Sequence, residues 1–217
     1  AVRGQAGVNR RRWMGSNVLE GRAKGWLVSA ASYDPGSRPQ LLAPLAGGAV
    51  PTRLLVTAGR ACAAVQAAIG QQDRLRPDWN SRRALSISFL PPLTQIDFDH
   101  LLWACDLNFV RGEDSLVRAL WANQPLVWQI YPQHDEAHHV KLEAFLDVIQ
   151  APASLRDFHR SWNDLDQGPL KPLALEPWAE TIRAARQRLL LLPDLVSQLL
   201  EFVGAIRISK PSAPKKH

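Results

Sequence analysis

Cysteine is scarce in this chain of 217 residues. Cys62 and Cys105 supply no disulfide framework and no Cys-x-x-Cys metal motif, so a disulfide-stapled scaffold is excluded and a reducing compartment, the cytoplasm, is expected. Long apolar runs are missing as well. None reaches the roughly 18 residues that a membrane span needs, which excludes a membrane protein of that kind. What is present is a hydrophobic content of 46% with 21% charged residues, enough for a sizeable core in one large domain or two small ones.

Acidic residues are nearly absent from the two ends. Residues 1–24 hold Arg3, Arg10, Arg11, Arg12, Arg22 and Lys24 against Glu20 alone, and residues 207–217 hold Arg207, Lys210, Lys215 and Lys216 against no acid. The net charge of +6 and the isoelectric point near 9.8 therefore arise at the ends. Residues 25–206 carry 16 basic and 19 acidic side chains, a net charge of −3. A protein that reads a duplex or tracks a strand concentrates Lys and Arg on its folded face, so direct nucleic-acid binding is not expected. Residues 1–24 lack helical or strand periodicity and read as a disordered or non-native basic leader. Residues 207–217 read as a disordered basic tail.

Between these ends the chain alternates short apolar runs, at 26–31, 53–57, 84–89, 107–110 and 126–130, with helical patterns at 38–47, 59–69, 97–104, 114–123 and 136–149. Strands without polar alternation, separated by helices, imply a parallel sheet covered on both faces. The expected fold is a Rossmann-like α/β domain over 25–150, with ligands bound beyond the carboxyl ends of its strands. Residues 151–206 read as a linker broken by Pro152, Pro169, Pro172 and Pro177, followed by helices at 178–192 and 194–203 on either side of Pro193.

The densest cluster of reactive groups, Arg111-Gly112-Glu113-Asp114-Ser115, follows a strand and opens a helix. Free N–H groups and the helix dipole favour an anion there, with Gly112 allowing a sharp turn, Ser115 capping or donating, and Arg111 offering a fork of donors to a diphosphate. The alternative is an ordinary helix start whose Glu113 and Asp114 complement the dipole and pair with Arg111. A second cluster, His134-Asp135-Glu136-Ala137-His138-His139, superficially resembles a metal site but lacks a distant third ligand, so no metal is expected. A third, Gln95 with Asp97-Phe98-Asp99-His100, is either the edge of a base or ribose site or a plain helix start. Trp103, Trp121 and Trp128 are expected in the core.

The run Phe98-Asp99-His100-Leu101-Leu102-Trp103-Ala104-Cys105-Asp106-Leu107-Asn108-Phe109-Val110-Arg111-Gly112-Glu113-Asp114-Ser115, followed by Trp128-Gln129-Ile130-Tyr131-Pro132-Gln133, resembles the hallmark of the elongation factor P arginine rhamnosyltransferases (EarP). The likeness extends more weakly from about Val28 to Phe202. It implies a GT-B glycosyltransferase that moves L-rhamnose from dTDP-β-L-rhamnose to an arginine of translation elongation factor P, with inversion and with no metal or other cofactor. It implies further that Tyr33, Gln95 and Phe98 lie near the thymidine, that Arg111, Asp114, Ser115 and Tyr131 contact ribose and diphosphate, and that Glu113 is the acidic residue needed for turnover. The family has two Rossmann-like domains, and this chain resembles the C-terminal, donor-binding one, without the N-terminal domain that carries the proposed base.

Two departures bear on the donor site. Ala31 and Pro92 stand where the family usually has aromatic side chains, so stacking on thymine is expected to be either weakened or taken over by Phe98. Competing expectations are another GT-B nucleotide-sugar transferase and a non-catalytic nucleotide-binding module.

Overall fold

The computed structural model describes residues 25–31, 41–133, 137–166, 168 and 170–208. Five strands form one sheet: β1 (Trp26–Ala30), β2 (Thr52–Val56), β3 (Leu85–Phe89), β4 (Leu107–Val110) and β5 (Leu126–Trp128). They lie in the order β3-β2-β1-β4-β5, all neighbours parallel. The helices between them are α1 (Leu42–Gly47), α2 (Arg60–Leu75), α3 (Gln95–Ala104) and α4 (Glu113–Ala122), with α5 (Ala137–Val148), α6 (Ala153–Trp162), α7 (Leu175–Leu190) and α8 (Leu195–Ile208) after the sheet. The Rossmann-like α/β fold expected from the alternation is what the chain adopts.

Side-chain alternation divides the buried residues between two faces. Val28, Ala30, Leu54, Val56, Leu107 and Phe109 belong to the main core, whereas Leu55 packs with Leu101, Ala104 and Cys105 on the other side, under α3. That second face also holds a buried polar pair. The Ser29 hydroxyl donates to Asn108 Oδ1 at 2.6 Å, and Asn108 Nδ2 donates to the Leu102 carbonyl at 3.0 Å, which ties β1 and β4 to α3 where the strand order reverses. Satisfied in this way, the two buried polar groups avoid the cost of an unmade hydrogen bond.

The segment after 150 differs from expectation. Residues 153–162, read as part of a proline-broken linker, form α6, with Leu155, Phe158, His159 and Trp162 buried on one face. Pro152 is the residue before its first turn, a position where the missing N–H costs nothing. Likewise α7 begins at Leu175 and takes Pro177 into its first turn, rather than starting at Trp178. An aromatic cluster of Phe109, Phe158, Trp162 and Trp178 fastens both helices to the sheet, with Phe109 and Trp162 centroids 4.7 Å apart and Phe158 and Trp178 5.2 Å apart.

Helix α6 also closes one edge of the sheet. His159 Nε2 accepts from the Trp128 N–H at 3.0 Å, Asn163 Oδ1 accepts from the Ile130 N–H at 2.9 Å, and Asn163 Nδ2 donates to the Trp128 carbonyl at 2.9 Å. These two side chains replace the next strand that would otherwise satisfy the outer edge of β5. His159 is buried and its Nδ1 lies 2.9 Å from the Leu155 carbonyl, so the ring is the neutral tautomer that donates from Nδ1 and accepts at Nε2. Burial lowers its pKa to about 4.

No helix among the described residues is long and apolar enough to cross a membrane.

Candidate functional site

Strand order dictates where to look. Successive strands run outward from β1 to β3 and then cross back to β4, which leaves a crevice beyond the carboxyl ends of β1 and β4. A cavity of about 590 Å³ opens there. Ala31 after β1, Thr57 to Gly59 after β2, and Pro92 to Thr94 after β3 form its floor and side, while Gln95 and Phe98 of α3 and Ser115 of α4 face them. Three helices therefore start at one mouth: α2 behind Gly59, α3 behind Thr94 and α4 behind Gly112.

Each start is built differently. Thr94 caps α3, its hydroxyl accepting from the Asp97 N–H at 3.1 Å and donating to the Asp97 carboxylate at 2.7 Å. Gly59 precedes α2 with φ 86 and ψ −137, a backbone state open to glycine and costly for other residues. Gly112 precedes α4 at φ −68 and ψ 155, ordinary extended backbone. The sharp turn expected to need Gly112 thus makes no demand for glycine, and the residue that does use glycine's freedom is Gly59. No side chain caps α4, so Ser115 lies in the cavity wall rather than serving as a cap.

Gln95, Phe98 and Ser115 share the cavity. Asp114 stands beside them: Gln95 Nε2 donates to its Oδ2 at 3.3 Å, and Arg118 Nε donates to the same oxygen at 2.8 Å. Arg118 also reaches Asp99 on α3 through Nη1, at 2.9 Å. The hydrogen bonds its guanidinium donates, to Asp114 first and Asp99 second, raise its pKa. The cation that holds Asp114 is therefore Arg118, one helical turn on, whereas an ordinary helix start assigned that part to Arg111.

Arg111 instead lays its guanidinium over the Tyr131 ring, 4.7 Å from the centroid. Its carbonyl accepts from Trp128 Nε1 at 2.6 Å. The Tyr131 hydroxyl is 4.0 Å from where a Cβ on Gly112 would stand, so Arg111, Gly112 and Tyr131 form one wall of the turn. Glu113 is exposed in the first turn of α4, between this wall and Asp114. Tyr33 lies outside the described residues, as do His134, Asp135 and Glu136 of the second cluster. His138 accepts at Nδ1 from the Gln133 N–H at 3.1 Å. Asp97 and Asp99 serve the α3 cap and the Arg118 bridge, and His100 packs edge-on to Trp103 at 5.3 Å.

Ala31 and Pro92 both line the cavity, and among the described residues Phe98 is the aromatic ring in its wall. Of the three tryptophans expected in the core, Trp128 is buried, but Trp121 is 42% exposed beneath the Arg186 guanidinium, 5.6 Å from its centroid. Arg118 stands at the site and was not singled out from sequence, Trp128 was read there as a core residue, and the Thr57–Gly59 loop lies at a strand's carboxyl end, where a ligand was expected. An acid-to-base spacing of four on α4 is the one local signal that pointed to Arg118.

Sheet order, crevice and convergent helix starts define a doubly wound α/β ligand-binding domain. Residues 2–204 match the family model described as Elongation-Factor P (EF-P) rhamnosyltransferase EarP, and the chain belongs to that family. It is 40% identical over 186 residues to a protein-arginine rhamnosyltransferase of Pseudomonas putida, an alignment covering 81% of this chain and 49% of that protein. A protein-arginine rhamnosyltransferase of Pseudomonas aeruginosa is 44% identical over 143 residues, covering 63% of this chain and 38% of the relative. A solved structure described as the structural basis for EarP-mediated arginine glycosylation of translation elongation factor EF-P superposes with a TM-score of 0.72 at 32% identity, over 93% of this chain and 66% of that one. The chain spans about half the length, or less, of these curated relatives.

Proposed function

We propose that this chain is the donor-binding half of a protein-arginine rhamnosyltransferase, taking dTDP-β-L-rhamnose as donor and an arginine of translation elongation factor P as acceptor. The observation that carries the reading is the crevice beyond β1 and β4, where Gln95 lines one cavity with Phe98 and Ser115 of the family-like run, beside Arg111 and Asp114. Phe98 stacks on the thymine. Gln95 and Asp114, already hydrogen-bonded to each other, hold the thymidine and ribose end. Arg111, Tyr131, Ser115 and the free N–H groups of the first turn of α4 meet the diphosphate, and they supply without a resident cofactor the positive field that its departure requires.

In the transfer step the acceptor nitrogen forms a bond to the anomeric carbon from the face opposite the diphosphate. The bond from that carbon to the diphosphate oxygen breaks and takes its electron pair with dTDP, which inverts the configuration. A guanidinium has a pKa above about 12 and is a poor nucleophile while protonated, so carboxylates must orient it and accept the proton it loses. Glu113, exposed in the first turn of α4, orients the acceptor, while the proton passes to a base on the family's N-terminal domain. A translation factor as acceptor places the reaction in the cytoplasm. Incubation of the chain with elongation factor P and dTDP-β-L-rhamnose, followed by intact-mass spectrometry, tests the reading. Addition of the family's N-terminal domain should give a gain of one deoxyhexose that Glu113→Gln abolishes; no gain with both domains present would refute it.

A further inference from the structure

The peptide between Arg111 and Gly112 is the one place in the α4 start that local sequence leaves free to turn over. Flipping a peptide changes ψ of the residue before it and φ of the residue after it, and glycine accepts φ of either sign at little cost. Gly112 sits at φ −68, and a hydrogen bond from outside the turn holds that orientation. That lock is the indole of Trp128, whose Nε1–H donates to the Arg111 carbonyl at 2.6 Å.

Trp128 is itself immobilised. It is only 5% exposed, and the Phe145 ring meets its indole edge-on at 5.4 Å. Its backbone N–H and carbonyl are held by His159 and Asn163 at 3.0 and 2.9 Å. The described residues contain no cis peptide, and in a trans peptide the carbonyl and the N–H leave on opposite edges. With the Arg111 carbonyl drawn to Trp128, the Gly112 N–H points away from Trp128. It thereby joins the N–H groups of Glu113, Asp114 and Ser115, which have no intrahelical acceptor.

We propose that Trp128 is a positioning residue of the donor site: its indole N–H locks the Arg111–Gly112 peptide so that the Gly112 N–H, and not the Arg111 carbonyl, faces the diphosphate. This inference rests on the donor-binding reading above. A flipped peptide would replace a donor with an acceptor oxygen beside the phosphates, which is repulsive rather than merely neutral.

Two variants remove the indole N–H: Trp128→Phe, and replacement of Trp128 by benzothienylalanine through codon suppression, which keeps the ring outline and substitutes sulfur for N–H. Calorimetric titration of each with dTDP and with thymidine separates phosphate recognition from the base and sugar. The expected result is about a tenfold weaker affinity for dTDP in both variants with thymidine affinity unchanged, whatever happens to thermal stability. Unchanged dTDP affinity in the benzothienylalanine variant overturns the proposal. So does an equal loss for thymidine and dTDP, which would mean general loosening of the cavity. A wild-type chain that fails to take up dTDP overturns the donor reading itself and the proposal with it, an outcome distinct from the other two.

Discussion

Arg118 on α4 holds Asp99 on α3 with a single Nη1 that donates to both carboxylate oxygens, at 2.9 and 3.0 Å. The same guanidinium keeps Asp114 through Nε, so one side chain fixes the two helices that carry opposite parts of the cavity wall. Partial exposure limits what the pair contributes to stability. Its effect belongs to geometry, since Gln95 and Phe98 lie on one helix and Asp114 and Ser115 on the other.

Replacing Arg118 with Met should therefore weaken dTDP binding by roughly twofold to fivefold, with little change in melting temperature. Titrations at low salt and at about 0.5 M salt check this. Screening shrinks the wild-type advantage if the bridge acts through charge, and a variant that binds as well as wild type at low salt contradicts it.

Among the described residues Phe98 is the aromatic ring of the cavity wall, where Ala31 and Pro92 offer no face for stacking. Removing a base-stacking ring costs about 1–3 kcal/mol in single-strand binders, so Phe98→Ala should lower dTDP affinity by about fivefold to a hundredfold. Thymidine affinity should fall by the same factor, in contrast to the Trp128 variants. Calorimetry with both ligands distinguishes the two effects.

Gly59 has φ 86, and a Cβ built there meets nothing within 4 Å. The cost of Gly59→Ala is thus purely that of the backbone, about 1–3 kcal/mol of unfolding free energy. Urea unfolding measures it, and a variant of wild-type stability would show that the β2–α2 loop relaxes freely.

His159 makes stability depend on pH. Its pKa is about 4 in the folded protein, because burial penalises the charged ring, against an ordinary 6.5 when unfolded. Above pH 6.5 both states are neutral. As pH falls from there toward 4 the unfolded chain takes up a proton that the folded one refuses, so stability declines by up to about 3 kcal/mol and levels off below pH 4. His159→Gln should flatten that decline in urea unfolding between pH 7 and 4.5, at the cost of a lower plateau. A wild-type curve with no slope in this window would contradict the buried neutral ring.

The sheet was legible in the sequence because parallel strands buried on both faces appear as continuous apolar runs, and all five begin and end within two residues of where the pattern placed them, with β4 matching at both ends. Helix α6 was not, although Leu155, Phe158, His159 and Trp162 have helical spacing; Pro152 looked like a breaker and is in fact a start. The closure of β5 had no signature at all, since His159 and Asn163 bond to backbone 31 to 35 residues away. Within the site, Phe98 and Ser115 of the family-like run line one cavity with Gln95. What sequence could not supply was the direction of each contact: that Asp114 turns to Arg118, that Arg111 turns to Tyr131, and that a tryptophan placed in the core reaches back to a carbonyl of the turn.

The central claim is that the crevice beyond β1 and β4 binds the nucleotide sugar. Calorimetric titration of the chain with dTDP-β-L-rhamnose tests it most directly, with dTDP as competitor and Ser115→Tyr as a variant that fills the cavity. Saturable binding of one donor per chain, displaced by dTDP and lost in Ser115→Tyr, is the predicted result. No heat and no thermal shift at millimolar nucleotide, or binding that Ser115→Tyr leaves intact, would contradict it.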